Sequence, residues 1–132
     1  MNPTRRDISP RTRNKVACVI GRAAQLIRLR GWCIGALRDD SGRVCLMGAI
    51  RETSKPYATK IRFTAYDVVN QKLRRQNADI HSWNDQQTSS DRVSDLLESV
   101  AKELDPHYTL EAICIHGLPM DSRCYACFSE AY

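Results

Sequence analysis

Residues 12–30, TRNKVACVIGRAAQLIRLR, form the stretch of sequence that decides the fold. Thr12 is a suitable N-cap and Gly31 a suitable residue for the helix end, so the stretch predicts one long helix over residues 12–30. A single apolar stripe runs along this helix at the i, i+4, i+7, i+11 spacing: Val16, Ile20, Ala23 and Ile27.

Three further helices follow along the chain. The small residues Gly48 and Ala49 favour a short buried helix over residues 45–53, packed against the first. A two-stranded hairpin turning at Ser41-Gly42 is the alternative for residues 32–50, because short apolar runs do not separate the two. A third helix is predicted over residues 62–75, with its apolar positions at Phe63, Tyr66, Val69 and Leu73. A fourth, capped by Thr88 or Ser89, carries Val93, Leu97, Val100 and Leu104.

Length and composition predict one domain. The chain has 132 residues, of which 42% are hydrophobic and 27% charged, as in ordinary soluble proteins. The predicted fold class is mainly α: a compact bundle of about four helices over residues 12–105, after a flexible basic arm at 1–11 and before a metal-binding tail at 106–132. No apolar run reaches the roughly 18 residues of a membrane span, and no secretion signal is visible, so we expect a cytoplasmic protein.

The positive charge is concentrated at one end of the chain. Residues 1–30 carry eight basic side chains and one acidic side chain, a net charge of +7, whereas the other 102 carry 12 basic and 14 acidic side chains, a net charge of −2. Such an excess attracts phosphate backbones or an acidic protein surface, and a solvated helix face is the alternative. The candidate binding residues are Arg5, Arg6, Arg11, Arg13, Lys15 and Arg22, the last projecting with Arg11 and Lys15 from an exposed face of the first helix.

The C-terminal segment has the spacing of a zinc site. Its pattern is C-x-H-x7-C-x2-C, formed by Cys114, His116, Cys124 and Cys127. Two close pairs of thiolate and imidazole ligands joined by a short loop suit a tetrahedral Zn²⁺. Four protein ligands leave no position for a reactive water, so the predicted role of the metal is structural. The remaining cysteines, Cys18, Cys33 and Cys45, have the surroundings of buried thiols.

Three motifs occur in order: GWCIGAL at 31–37, VCLMGAIR at 44–51 and IHSWND at 80–85, the last expected to be a loop. Together they resemble a family of small, functionally uncharacterised proteins of bacteria and their phages. The resemblance covers about residues 14–104 and implies a helical domain and a phage or prophage origin. It implies no activity.

A catalytic role is weighed for one cysteine. Cys45 lies at the predicted start of a helix, where a thiol pKa is lowered, and His81 with Asn84 or Asp85 offers a base and an orienting group. The alternative interpretation is a small core residue between Val44 and Leu46.

The sequence therefore favours a zinc-stabilised binding or regulatory module that acts on nucleic acid or on a nucleic-acid-handling complex. One alternative is a phage-encoded inhibitor of a host defence protein. The other is a cysteine-dependent hydrolase or acyl transferase that uses Cys45. No phosphate-binding glycine loop is present, which argues against nucleotide hydrolysis.

Overall fold

The computed structural model describes residues 8–76 and 78–108, apart from the side chain of residue 81, and within these ranges the chain is mainly helical. The predicted fold class is therefore confirmed at this level, with five helices in place of four. Their bounds are α1 Pro10–Arg30, α2 Leu46–Thr53, α3 Thr59–Arg74, α4 Ile80–Gln86 and α5 Ser90–Leu104.

Helix α1 is the centre of the bundle. It packs against α2, α3 and α5, and nine consecutive residues, 16–24, are buried. A helix covered on several sides buries more than one stripe, and small residues such as Ala17, Gly21 and Ala24 let its neighbours approach. The single stripe predicted from the sequence was therefore too narrow.

Arg22 lies inside this buried run, so its predicted exposure is wrong. The side chain is 4% exposed, and its Nη1 donates a hydrogen bond to Tyr57 Oη at 2.6 Å. Tyr57 belongs to the loop after α2, which covers this side of α1. Arg22 thus joins α1 to that loop, because a long guanidinium can reach a polar partner from a buried backbone position.

The ends of α1 follow local capping chemistry. Ser9 Oγ accepts a hydrogen bond from Thr12 N at 3.3 Å, and Pro10 occupies the first helical position, where its missing N–H costs nothing. The helix therefore starts two residues before the predicted boundary. It ends at Gly31, whose φ of +94° favours glycine, as predicted.

The predicted helix over residues 45–53 is confirmed as α2, with Cys45 as its N-cap. The alternative hairpin does not form as a pair of strands in residues 32–50. Val44 makes only isolated bridges, to Trp32 and to Arg38, and a turn is closed by Gly42 N donating to Asp39 O at 3.0 Å. Because α2 begins directly after Cys45, no length of chain remains for a second strand.

Helix α3 buries a different stripe from the predicted one. Phe63 is 56% exposed, so its assignment to the core is wrong. The buried positions are spaced four residues apart and lie at Ile61, Ala65, Val69 and Leu73. The helix begins at Thr59, three residues before the predicted start, and Ile61 in its first turn is buried.

Residues 80–85 form a helix, α4, and the predicted loop is wrong. Asp79 is its N-cap, and Asp79 Oδ1 accepts a hydrogen bond from Ser82 N at 2.8 Å.

Helix α5 agrees with the prediction, with Ser89 as its N-cap and its four predicted apolar positions buried. Arg28 of α1 forms ion pairs with Asp95 and Glu98 of α5.

Two segments with predicted roles lie outside the described residues: residues 1–7 of the basic arm and residues 109–132 of the zinc-binding tail. Among the helices that are described, none is long and apolar enough to cross a membrane.

A close backbone contact joins α2 to the preceding segment. A Cβ added at Gly48 would lie 1.9 Å from Leu37 O, and the same carbonyl accepts a hydrogen bond from Cys45 N at 3.2 Å. Glycine is therefore required at position 48 for packing, although its backbone is helical.

Gly48→Ala is expected to destabilise the protein by about 2 kcal/mol, because a rigid backbone must move to relieve the clash. This loss opposes the gain in helix propensity that alanine normally brings. Urea unfolding followed by circular dichroism measures the change. Gly42→Ala is the comparison, since Gly42 has φ of +86° but open space around it, and its cost is expected to be smaller, about 1 kcal/mol. Equal stability of Gly48→Ala and the parent would contradict the steric argument.

Candidate functional site

The three sequence motifs meet at one buried amide, Asn84 of α4, which is 2% exposed. Its Oδ1 accepts hydrogen bonds from Trp32 Nε1 at 2.8 Å and from Leu46 N at 3.0 Å. Its Nδ2 donates to Cys33 O at 3.2 Å and to Asp85 Oδ1 at 3.3 Å. We call this arrangement the Asn84 junction, and it joins α4, the start of α2 and the segment after α1.

All four hydrogen-bonding positions of the Asn84 side chain are used within the protein. A primary amide has two acceptor lone pairs and two N–H donors, and each has a partner here. The amide is therefore left without a free group for a ligand. Its role is to hold three short segments in register.

A cavity of about 290 Å³ lies beside the Asn84 junction. Gly35 N donates a hydrogen bond to the carboxylate of Asp85 at 3.3 Å, which fixes that carboxylate beside the loop. The residues that line the cavity are Gly35, Ala36, Leu37, Cys45, Met47, Ile80, Asn84 and Asp85.

Cys45 and Asp85 therefore line the same cavity, as a catalytic role for Cys45 would require. The side chain of His81, the predicted base, lies outside the described part of the structure. Cys45 is 5% exposed, and its Sγ accepts a hydrogen bond from Gly48 N at 3.3 Å. Burial raises the pKa of the Cys45 thiol above its ordinary value, and this outweighs the lowering by the helix start. The group is then a protonated thiol at neutral pH, a poor nucleophile.

The predicted basic candidates fall into three groups. Arg11 and Lys15 are exposed on the first turns of α1, and Arg13 is partly buried. Arg22 is buried, as described above. Arg5 and Arg6 lie outside the described residues.

Sequence reasoning missed a second basic surface. Arg51 of α2 and Arg62, Phe63 and Tyr66 of α3 form what we call the aromatic–arginine cluster. The Arg62 guanidinium lies over the Phe63 ring, 5.6 Å from its centroid, and the Phe63 and Tyr66 rings meet edge to face with centroids 6.3 Å apart. Burial raises the pKa of Tyr66, and the positive charges of Arg62 and Arg51 act against that rise, which places both near the phenol.

One signal in the sequence was available for this cluster. Ile61 and Ala65 fit the same four-residue spacing as Val69 and Leu73, and Phe63 does not. An aromatic residue outside the best apolar stripe, beside an arginine, indicates an exposed ring. The contribution of Arg51 had no such signal, because it comes from another helix.

The predicted zinc ligands Cys114, His116, Cys124 and Cys127 all lie outside the described residues. In residues 8–76 and 78–108, no group of three or more His, Cys, Asp or Glu side chains is placed to hold a metal ion. The three cysteines in these ranges, Cys18, Cys33 and Cys45, are buried thiols, as predicted.

Comparison with known proteins gave one match. The sequence profile of DUF6197, described as a family of unknown function, matches residues 11–103. This range is close to the span of the resemblance drawn from the three motifs. The predicted bacterial or phage origin stays a prediction. No match was found among curated proteins or among solved structures.

Asn84→Leu is expected to destabilise the protein by about 3 kcal/mol. Leucine has a similar size, but it leaves Trp32 Nε1–H, Leu46 N–H and Cys33 C=O without their partner, and a buried unpaired group costs about 1–3 kcal/mol. Denaturant unfolding measures the loss. Gln86→Leu is the matched control, because Gln86 is exposed on the same helix. If the two variants prove equally stable, Asn84 does not hold the junction.

Proposed function

We propose that this chain, which belongs to the DUF6197 family of unknown function, is a cytoplasmic binding module that attaches to nucleic acid through the cationic start of α1 and the basic arm before it. The proposal includes a structural Zn²⁺ in the C-terminal tail. It assigns no catalytic step to the chain, in keeping with the raised pKa of Cys45.

The observation that carries this proposal is the position of Arg11 and Lys15. Both are exposed on the first turns of α1, and that helix has no acidic residue in its first turn. The N-terminal end of a helix carries partial positive charge, so cations there destabilise the helix slightly. Neither residue forms an ion pair with any described residue. Helix stability therefore does not account for them, whereas attraction of a polyanion does.

Two other cations of α1, Arg28 and Arg22, are used within the fold. Arg28 pairs with Asp95 and Glu98 of α5, and Arg22 is buried against Tyr57. Arg11 and Lys15 lie at the start of the helix, a few residues after Arg5 and Arg6 in the sequence. A polyanion would meet a basic stretch of chain there, with Asp7 as its one acidic side chain, and its binding would fall with salt concentration.

The zinc part of the proposal rests on ligand chemistry. Cys114, His116, Cys124 and Cys127 supply three thiolates and one imidazole, a complete set for a tetrahedral structural site. A segment this short buries little apolar surface, so metal binding would supply most of its folding free energy.

The nucleic-acid proposal is tested with Arg11→Glu/Lys15→Glu. The wild type should bind labelled duplex and single-stranded oligonucleotides at low salt, measured by fluorescence anisotropy. The double variant should bind both more weakly, and the slope of log K against log salt should fall by about two, one for each lost phosphate contact.

Arg92→Glu/Lys102→Glu is the matched control, since it makes the same change in net charge at exposed positions of α5. Its affinity should stay within a few-fold of the wild type. Equal losses of affinity in the two double variants would mean that the change in net charge alone causes the effect. Failure of the wild type to bind any oligonucleotide at low salt would end the proposal.

Zinc content tests the tail separately. Elemental analysis of the purified protein should give about one zinc per chain, and Cys124→Ser/Cys127→Ser should lose it. Cys18→Ala is the control, because Cys18 is a buried thiol outside the ligand pattern. A wild-type protein without zinc, or a double variant that retains it, would contradict the assignment.

A further inference from the structure

Phe63 is the most exposed large apolar side chain among the described residues, at 56%. A phenyl ring left in water forgoes a large part of the free energy that burial would supply. The same helix has a complete buried stripe without it, from Ile61 to Leu73. Packing of the bundle therefore does not explain an aromatic residue at this position.

The neighbours of Phe63 hold the ring in place. Arg62 lies over it at 5.6 Å from the centroid, and Tyr66, one turn further along α3, meets it edge to face at an interplanar angle of 70°. These contacts limit the motion of the ring and leave more than half of the side chain open. A restrained, open aromatic ring can accept a planar ligand at a low entropic cost.

The charge around the ring is positive. Arg51, Lys60 and Arg62 form no ion pair with any described residue, and α3, like α1, has no acidic residue in its first turn. Asp67, one turn after Phe63, is the one acidic residue in the sequence of α3. The positive charges of Arg51 and Arg62 beside Tyr66 favour an anionic ligand.

We infer that the aromatic–arginine cluster binds single-stranded nucleic acid, with an unpaired base stacked on Phe63 and the flanking phosphates held by Arg51 and Arg62. An unpaired base in a strand has a planar π face, and its nucleotide is flanked by a phosphate on each side. The face suits the Phe63 ring, and the phosphates suit the nearby cations. A duplex does not fit, because its bases are stacked on each other and present only their edges. This inference rests on the proposed function for the class of ligand, and it adds a site distinct from the start of α1.

Phe63→Leu is the decisive variant, because leucine keeps an apolar side chain and removes the planar face. Its affinity for a single-stranded oligonucleotide should fall about tenfold, while its affinity for a duplex of the same length should be unchanged. Phe63→Trp should retain or increase the single-strand affinity. Ile34→Ala is the control, since Ile34 is equally exposed, at 55%, in a different segment, and it should change neither affinity.

The outcomes separate the two proposals. If the wild type binds both kinds of oligonucleotide and Phe63→Leu is unchanged on the single strand, the inference is wrong and the proposed function stands. If Phe63→Leu weakens the binding of duplex and single strand equally, stacking of an unpaired base on Phe63 is also excluded. If the wild type binds no oligonucleotide, both proposals fail, and a protein partner becomes the explanation for the exposed ring.

Discussion

The hydrogen bonds of Asn84 are the constraint on which the smaller elements of this fold depend. Helix α4 has seven residues and α2 has eight, lengths at which an isolated helix does not persist in water. The segment between α1 and α2 forms only isolated bridges and lacks a sheet to support it. Because one buried amide bonds to all three, each short element is fixed by the others. The low dielectric around Asn84 strengthens these bonds and makes any missing partner costly.

Close packing of α2 against α1 also supports the Asn84 junction. Helix α1 passes through the middle of the bundle, and its small residues allow α2 to lie near it. Thr53 of α2 donates its hydroxyl to carbonyls on α1 and α2, with Thr53 Oγ1 3.1 Å from Val19 O. On the other side of α2, Gly48 admits the carbonyl of Leu37. The short helix is therefore held between two backbones, which explains why its sequence needs glycine and alanine where most helices carry larger side chains.

Elements formed by interactions between residues close in sequence could be predicted from the sequence, and features that depend on contacts between helices could not. Helices α1, α3 and α5 were predicted because their apolar spacing is a local property of the chain. Helix α4 was not, since seven mostly polar residues carry no such period and its start depends on the cap at Asp79. The burial of Arg22 and the exposure of Phe63 are decided by which neighbouring helix covers each face. In the same way, the cations of α1 were visible in the sequence, whereas Arg51 and Arg62 come together only through the packing of α2 on α3.

The packing of α1 against α5 pairs a cation near the C-terminal end of α1 with carboxylates of α5. Arg28 of α1 pairs with Asp95 and Glu98 near the middle of α5, and Asn14 Nδ2 donates to Asp105 Oδ2 just after the end of α5, so the two helices run antiparallel. Asp95 and Glu98 are thus placed beside the C-terminal half of α1, where cations also suit the helix dipole. Arg11 lies about 25 Å from Arg28 along the helix axis, beyond the screening length at physiological salt. Asp95 and Glu98 therefore do not neutralise the positive charge at the start of α1.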